Sequence, residues 1–162
     1  MSGGALSLLS ETTIALRLFM ALLLGGLIGL DREIKQRPAG LRTHMLVSLA
    51  AALFTIITIE LYLEALRLAP PQTNSPADPV RIIEAVTAGV AFIAAGTIIQ
   101  SRGDVKGVTT GTAIWLAGAI GVACGIGNFM VAVTATVLAI IVLYVLGLVE
   151  QKLAPEANPE KD

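Results

Sequence analysis

Residues 13–30 read TIALRLFMALLLGGLIGL, residues 31–40 read DREIKQRPAG, and residues 41–63 read LRTHMLVSLAAALFTIITIELYL. Two long apolar runs flank one short, densely charged segment, and that alternation decides the fold. A helix crossing a hydrocarbon core of about 30 Å needs roughly 20 residues, with about 17 as the lower limit. The second run exceeds this and the first meets it. Neither alternates with period two, and both are about twice as long as a barrel strand requires, so helices are expected.

Working outward, three more apolar runs follow, at 82–99, 108–123 and 129–149. The fourth, 16 residues before Cys124, is either a thin span or a re-entrant element buried by its neighbours. The reading is an all-α polytopic transmembrane bundle of about five spans, with four as the alternative. Composition agrees: hydrophobic residues make up 55% and charged residues 14%, against about 25% charged in a soluble domain, and mean hydropathy is +0.81. At 162 residues there is room for one domain, placed at 1–149, with 150–162 a short polar tail. The segment 64–81 holds Pro70, Pro71, Pro76 and Pro79 and is expected to be irregular. No Lys or Arg precedes Arg17, and the first run is too long for a signal-peptide core, so it is read as a retained span.

Orientation follows from the basic residues. With five spans and the N-terminus outside, the inner segments hold Arg32, Lys35, Arg37, Arg42, Arg102, Lys106, Lys152 and Lys161. The outer ones hold only Arg67 and Arg81, which places the N-terminus outside and the C-terminus inside. The net charge of −1 gives no footprint for nucleic acid. The lone Cys124 excludes an intramolecular disulfide and multi-cysteine metal sites. The lone His44 excludes a histidine-rich metal cage.

Seven of the fourteen residues from Asp31 to His44 are ionisable. A topology anchor needs only Lys and Arg, so it does not account for Asp31 and Glu33. Carboxylates there face the negative end of a helix dipole. Beside Arg32, Arg37 and Arg42 they form either a structural ion-pair network or a cation site, and Asp31 and Glu33 are the candidate metal ligands. On the same face lies Ser101 to Thr110. There Gly107, Thr109 and Thr110 open the fourth helix, where they cap it or hold an anion or a carboxylate from the first loop. Three further ionisable groups lie near the opposite ends of the runs. Arg17, about 6 Å deep, is expected to pair with Glu60 or Glu84, with snorkelling to water as the alternative. Gly25 and Gly29, Gly89 and Gly96, and Gly121 and Gly125 are read as helix-packing positions. Cys124 is read as a small packing residue. No Walker loop, zinc-ligand spacing or nucleophile elbow is present, and no enzyme is expected.

The run Gly25-Gly26-Leu27-Ile28-Gly29-Leu30-Asp31-Arg32-Glu33, with Arg37-Pro38-Ala39-Gly40-Leu41-Arg42-Thr43-His44, resembles the hallmark of the MgtC/SapB family. The segment 89–96 is similar to that family's glycine-rich third span. Gly107-Val108-Thr109-Thr110, Trp115 and Gly121-Val122-Ala123-Cys124-Gly125 are similar to its fourth. The resemblance runs from about Leu16 to Val149. It implies a multi-pass protein of the bacterial inner membrane linked to magnesium limitation and, in pathogens, to survival inside host cells. It further implies a regulatory role on membrane partners such as the ATP synthase or a sensor. Some members carry a C-terminal ACT-like domain, which does not follow Val149 here, and Ala94-Ala95 stands where the family often has Leu-Gly. Carried over by position, the functional residues are Asp31, Arg32, Glu33, Arg37, Arg42, Thr43, Arg102, Thr109, Thr110 and Cys124; His44 and Lys106 complete the polar cluster.

Three function classes follow. The first is a regulatory protein that binds a membrane protein or lipid, alone or as a homo-oligomer. The second is a transporter or channel for Mg2+ or another small solute; no cofactor is expected beyond that ion. The third is a structural assembly subunit. Mg2+ takes oxygen ligands and keeps several waters, yet every carboxylate lies at an interface, which favours the first class.

Overall fold

The computed structural model of the chain describes residues 9–68, 79–101 and 104–153. Five helices lie on the five apolar runs: α1 (Glu11–Ile34), α2 (Leu41–Leu68), α3 (Pro79–Ala95), α4 (Val108–Ile126) and α5 (Phe129–Leu153). Between α3 and α4 sits a two-stranded antiparallel hairpin, β1 (Ile99–Ser101) and β2 (Asp104–Lys106), with Ile99 opposite Lys106.

Three of the helices, α1, α2 and α4, are long and apolar enough to cross a membrane; the described apolar stretches of α3 and α5 are shorter. The fourth segment is therefore no marginal element. Its helix continues through Cys124 and Gly125 to Ile126 and is the most enclosed of the three. The third run is corrected the other way. Its helix stops at Ala95, and Ile99, counted with the span, lies in β1. Helix α2 continues to Leu68 and α5 to Leu153, so polar residues counted as loop and tail complete those helices. The rest of the proline-rich segment, at 69–78, and the tail from 154 lie outside the described residues.

Local chemistry sets the ends. Ser10 caps α1, accepting from the Thr13 amide at 3.3 Å. At the other end Gln36 takes a left-handed φ of 51°, and the Arg37 amide returns to the Arg32 carbonyl at 3.0 Å. Helix α4 is bracketed by Gly107 (φ 91°) and Gly127 (φ 90°). These are left-handed conformations that a side chain disfavours. At its C-terminus the Gly127 amide bonds Cys124 O and the Asn128 amide bonds Ala123 O, both at 2.9 Å, a Schellman arrangement.

Packing centres on α4, which touches every other helix. Small residues make the seams. A Cβ on Gly25 would lie 2.6 Å from Ser48 Cβ, and one on Gly29 would lie 2.8 Å from Leu41 Cα, so α1 and α2 meet at backbone distance. Gly125 is similarly pressed on Ala52 O and Thr55 of α2, and Gly121 on Ser48 O. Gly111 and Gly118, one heptad apart, receive Ala94 O and Val90 of α3. Two positions read as packing glycines make no close helix contact within the chain: Gly89 has nothing within 4 Å of its Cβ direction, and Gly96 lies exposed in the turn after α3.

The radial distribution of polarity is inverted relative to a water-soluble bundle. Phe92 is 82% and Met130 77% exposed, whereas Arg32, His44, Ser48, Thr110 and Thr136 are buried. Such a surface is stable against hydrocarbon and costly against water.

Candidate functional site

Of the six buried polar residues described, Arg32, His44, Ser48 and Thr110 gather at one end of the bundle, where α1 ends, α2 begins and α4 begins, while Thr55 and Thr136 bond to their own helices further along. Arg32 is the centre. It follows Gly25, Ile28 and Gly29 on the buried stripe of α1 and is 4% exposed. Its Nη2 donates to Thr110 Oγ1 at 3.1 Å, joining residues 78 positions apart. Its Nε is buried with no partner, and no carboxylate lies within ion-pair distance of it among the described residues. Across the α1–α2 seam His44 is fully buried. Its Nδ1 bonds Gly40 O at 2.8 Å. A carbonyl only accepts, so Nδ1 carries the proton, and in the neutral ring Nε2 is left as an acceptor. Both that Nε2 and Ser48 Oγ, one turn further along α2, are buried without partners.

The two carboxylates do different work from a shared cation site. Asp31 pairs with Lys35 one turn away, at 2.8 Å. Lys35 also donates to Leu143 O of α5 at 3.1 Å and lies 6.0 Å from the Tyr144 ring centroid. Glu33 turns away from both and accepts from the Leu41 amide at 3.0 Å. A carboxylate unfavourable at the end of α1 thereby becomes favourable as a cap at the start of α2. No group of three or more His, Cys, Asp or Glu side chains placed to hold a metal occurs among the described residues.

The remaining residues divide by position. Arg37, Arg42, Lys106 and Thr109 are exposed at the same end, and Thr43 is half-buried. Arg102 lies outside the described residues. Thr110 neither caps α4 nor meets a carboxylate; the cap position is Gly107, without a side-chain bond, and the Thr110 hydroxyl is taken by Arg32. Cys124 is buried fourteen residues along α4 from Thr110, about 21 Å away, and is not part of this cluster. The pairing expected of Arg17 is corrected as well. Its Nη1 donates to Gly125 O at 2.8 Å. Glu84 is exposed, and Glu60 Oε1 is buried without a partner. The backbone carbonyl at the end of α4, adjoining a glycine that leaves room for the guanidinium, takes the place of a carboxylate. Sequence reading did not single out Ser48 or the Lys35–Leu143 link. The four-residue spacing of His44 and Ser48 is the signal that finds the first.

Exposed apolar helices around a cationic, hydroxyl-rich interior at one end define a helical membrane protein with a buried arginine site. The chain belongs to the MgtC family, whose model matches residues 18–152. Protein MgtC of Salmonella typhimurium (strain LT2) is 38% identical over 123 residues, covering 76% of this chain and 48% of that protein. Protein SapB of Bacillus subtilis (strain 168) is 34% identical over 153 residues, covering 94% and 64%. An uncharacterized protein of Haemophilus influenzae is 33% identical over 136 residues, covering 83% and 56%. The chain spans roughly half to two thirds of the length of these relatives. No solved structure matches it.

Proposed function

We propose that this chain is a multi-pass protein of the bacterial inner membrane that serves magnesium homeostasis as a regulator. It has its N-terminus outside and its Arg32 end facing the cytoplasm. It binds another membrane protein through the exposed basic residues Arg37, Arg42 and Lys106 beside the helix ends.

One observation carries this reading over transport of Mg2+. The carboxylates at the Arg32 end are each bonded internally through one oxygen, Asp31 to Lys35 and Glu33 to the Leu41 amide, with Asp31 Oδ2 left buried and unpaired, and the buried groups beside them are a guanidinium and an imidazole. Mg2+ keeps much of its water shell and is held by oxygen donors. The buried Arg32 guanidinium repels a divalent cation instead. An acidic partner surface, by contrast, complements the exposed arginines.

The test is a flux assay on purified protein in liposomes, paired with co-purification from membranes. Silence in the flux assay, with a membrane partner retained by the wild type and lost on Arg37→Gln/Arg42→Gln, is the expected result. Saturable Mg2+ entry abolished by Asp31→Asn refutes it. Labelling of Gln36→Cys from the cytoplasmic side, in a Cys124→Ala background, tests the orientation.

A further inference from the structure

Between α1, α4 and α5 the helices do not close. A cleft of about 420 Å3 opens there, walled by Ile28, Ala113, Leu116, Ala135, Leu138 and Val142. Its volume falls in the range of small-molecule sites, and almost all of its wall is hydrocarbon.

The end of the cleft nearest Arg32 is different. Thr109 and Thr112 line it, and both are exposed. Thr112 donates its hydroxyl proton to Thr109 O at 3.0 Å, and the Thr109 hydroxyl has no protein partner among the described residues. Unpaired hydroxyls are costly against hydrocarbon, so this end belongs at headgroup depth. The same turn begins α4, whose cap Gly107 supplies no side-chain acceptor, leaving first-turn amides directed at that end. Two cations adjoin the lining. Lys35 is bonded to the carbonyl of Leu143, itself a wall residue, and Arg32 is bonded to Thr110, next to Thr109. Against these two cations stands one bonded carboxylate, Asp31, paired with Lys35 at 2.8 Å, while Arg32 has no carboxylate within ion-pair distance among the described residues, so this end of the cleft keeps a net positive charge.

We infer that the cleft binds one anionic glycerophospholipid. An acyl chain lies between α4 and α5, and the phosphate sits at Thr109, Thr112 and the first turn of α4, drawn there by Lys35 and Arg32. The groove between α2 and α3 serves as a contrast. It is lined by Val47, Phe54, Thr58, Ala85, Gly89 and Ile93; neither groove has a cation in its wall, but only the first has one bonded to a wall residue, Lys35 on Leu143, and ordinary bilayer hydrocarbon suffices for the second.

Native mass spectrometry of the purified chain, offered phosphatidylglycerol and phosphatidylcholine of identical acyl chains, tests this. The wild type retains one phosphatidylglycerol per chain with about fivefold preference, the scale of one basic residue at a membrane surface. Thr109→Val/Thr112→Val, isosteric and exposed, brings the preference close to one. Ala135→Phe fills the cleft and abolishes retention of both lipids, while Ala85→Phe in the other groove changes nothing. Equal retention of the two lipids by the wild type overturns the inference, as does undiminished preference in the double threonine variant. Should Ala135→Phe fail to fold, the threonine variant decides. The lipid site and the regulatory reading fall separately: equal lipid retention leaves partner binding untouched, and loss of partner binding leaves the lipid site untouched.

Discussion

Replacing Gly121 and Gly89 in turn by alanine separates helix packing from helix propensity. A Cβ at Gly121 overlaps the Ser48 carbonyl oxygen and lies 2.9 Å from Ala51 Cβ. The first of these is backbone of α2 and cannot rotate away, so relief requires the two helices to move apart. Overfilling a close-packed seam costs about 1–3 kcal/mol, against which alanine returns up to about 1 kcal/mol of propensity. At Gly89 a Cβ meets nothing within 4 Å, so only the propensity gain remains. Both sites lie inside helices, and the difference between the two variants isolates the overlap: Gly121→Ala is expected to be less stable than Gly89→Ala by about 1–3 kcal/mol. Reversible unfolding by dodecyl sulfate in mixed micelles, followed by circular dichroism, reads this. Stabilities within about 0.5 kcal/mol of one another refute the packing of α4 on α2.

Thr110→Val removes the one bond the buried Arg32 guanidinium makes to protein among the described residues and is expected to cost about 1.5–3 kcal/mol, whereas Arg32→Met removes the buried charge as well and costs less; the same unfolding assay ranks them. Glu33→Ala uncaps α2 at about 0.5–2 kcal/mol, while Glu33→Gln keeps an acceptor for the Leu41 amide and costs less, measured in the same way. Gln36→Gly, at a residue with φ of 51°, should stabilise by about 1 kcal/mol. Cys124 is fully buried, so maleimide should label it only after unfolding, with mass spectrometry as the readout.

The helices were legible because apolar runs long enough to span announce themselves by length alone. Their ends were not, since Leu68 and Leu153 extend helices into polar sequence that hydropathy assigns to loops. The hairpin 99–106 escaped because three-residue strands carry too few positions to show alternation. Within the charged segment, composition singles out all its members equally. Only the helical period distinguishes Arg32, which falls on the stripe of Gly25, Ile28 and Gly29, from its exposed neighbours Glu33 and Arg37. The destination of Glu33 depends on the turn through Pro38, which no local pattern specifies. Arg17 was sought among carboxylates because charge suggests charge; a helix-terminal carbonyl is an equally good acceptor and leaves no mark in sequence. The cleft between α1, α4 and α5 is a property of how three helices splay, and it is absent from any one of them.

The two cations of α1 and Lys35 at its C-cap share a property with consequences for biogenesis. Arg17 reaches Gly125, Arg32 reaches Thr110 and Lys35 reaches Leu143, at separations of 108, 78 and 108 residues. Within the α1–α2 hairpin that leaves the ribosome first, Lys35 has its ion pair with Asp31, but neither Arg17 nor Arg32 finds a side-chain hydrogen-bond acceptor there among the described residues. A nascent chain carrying only α1 and α2 must keep Arg17 and Arg32 hydrated, or screened by the insertion machinery, until α4 arrives. Membrane insertion of the first helix and completion of its bonding are therefore separated in time. The second half of the chain acts as the clasp that makes the first half a finished membrane helix.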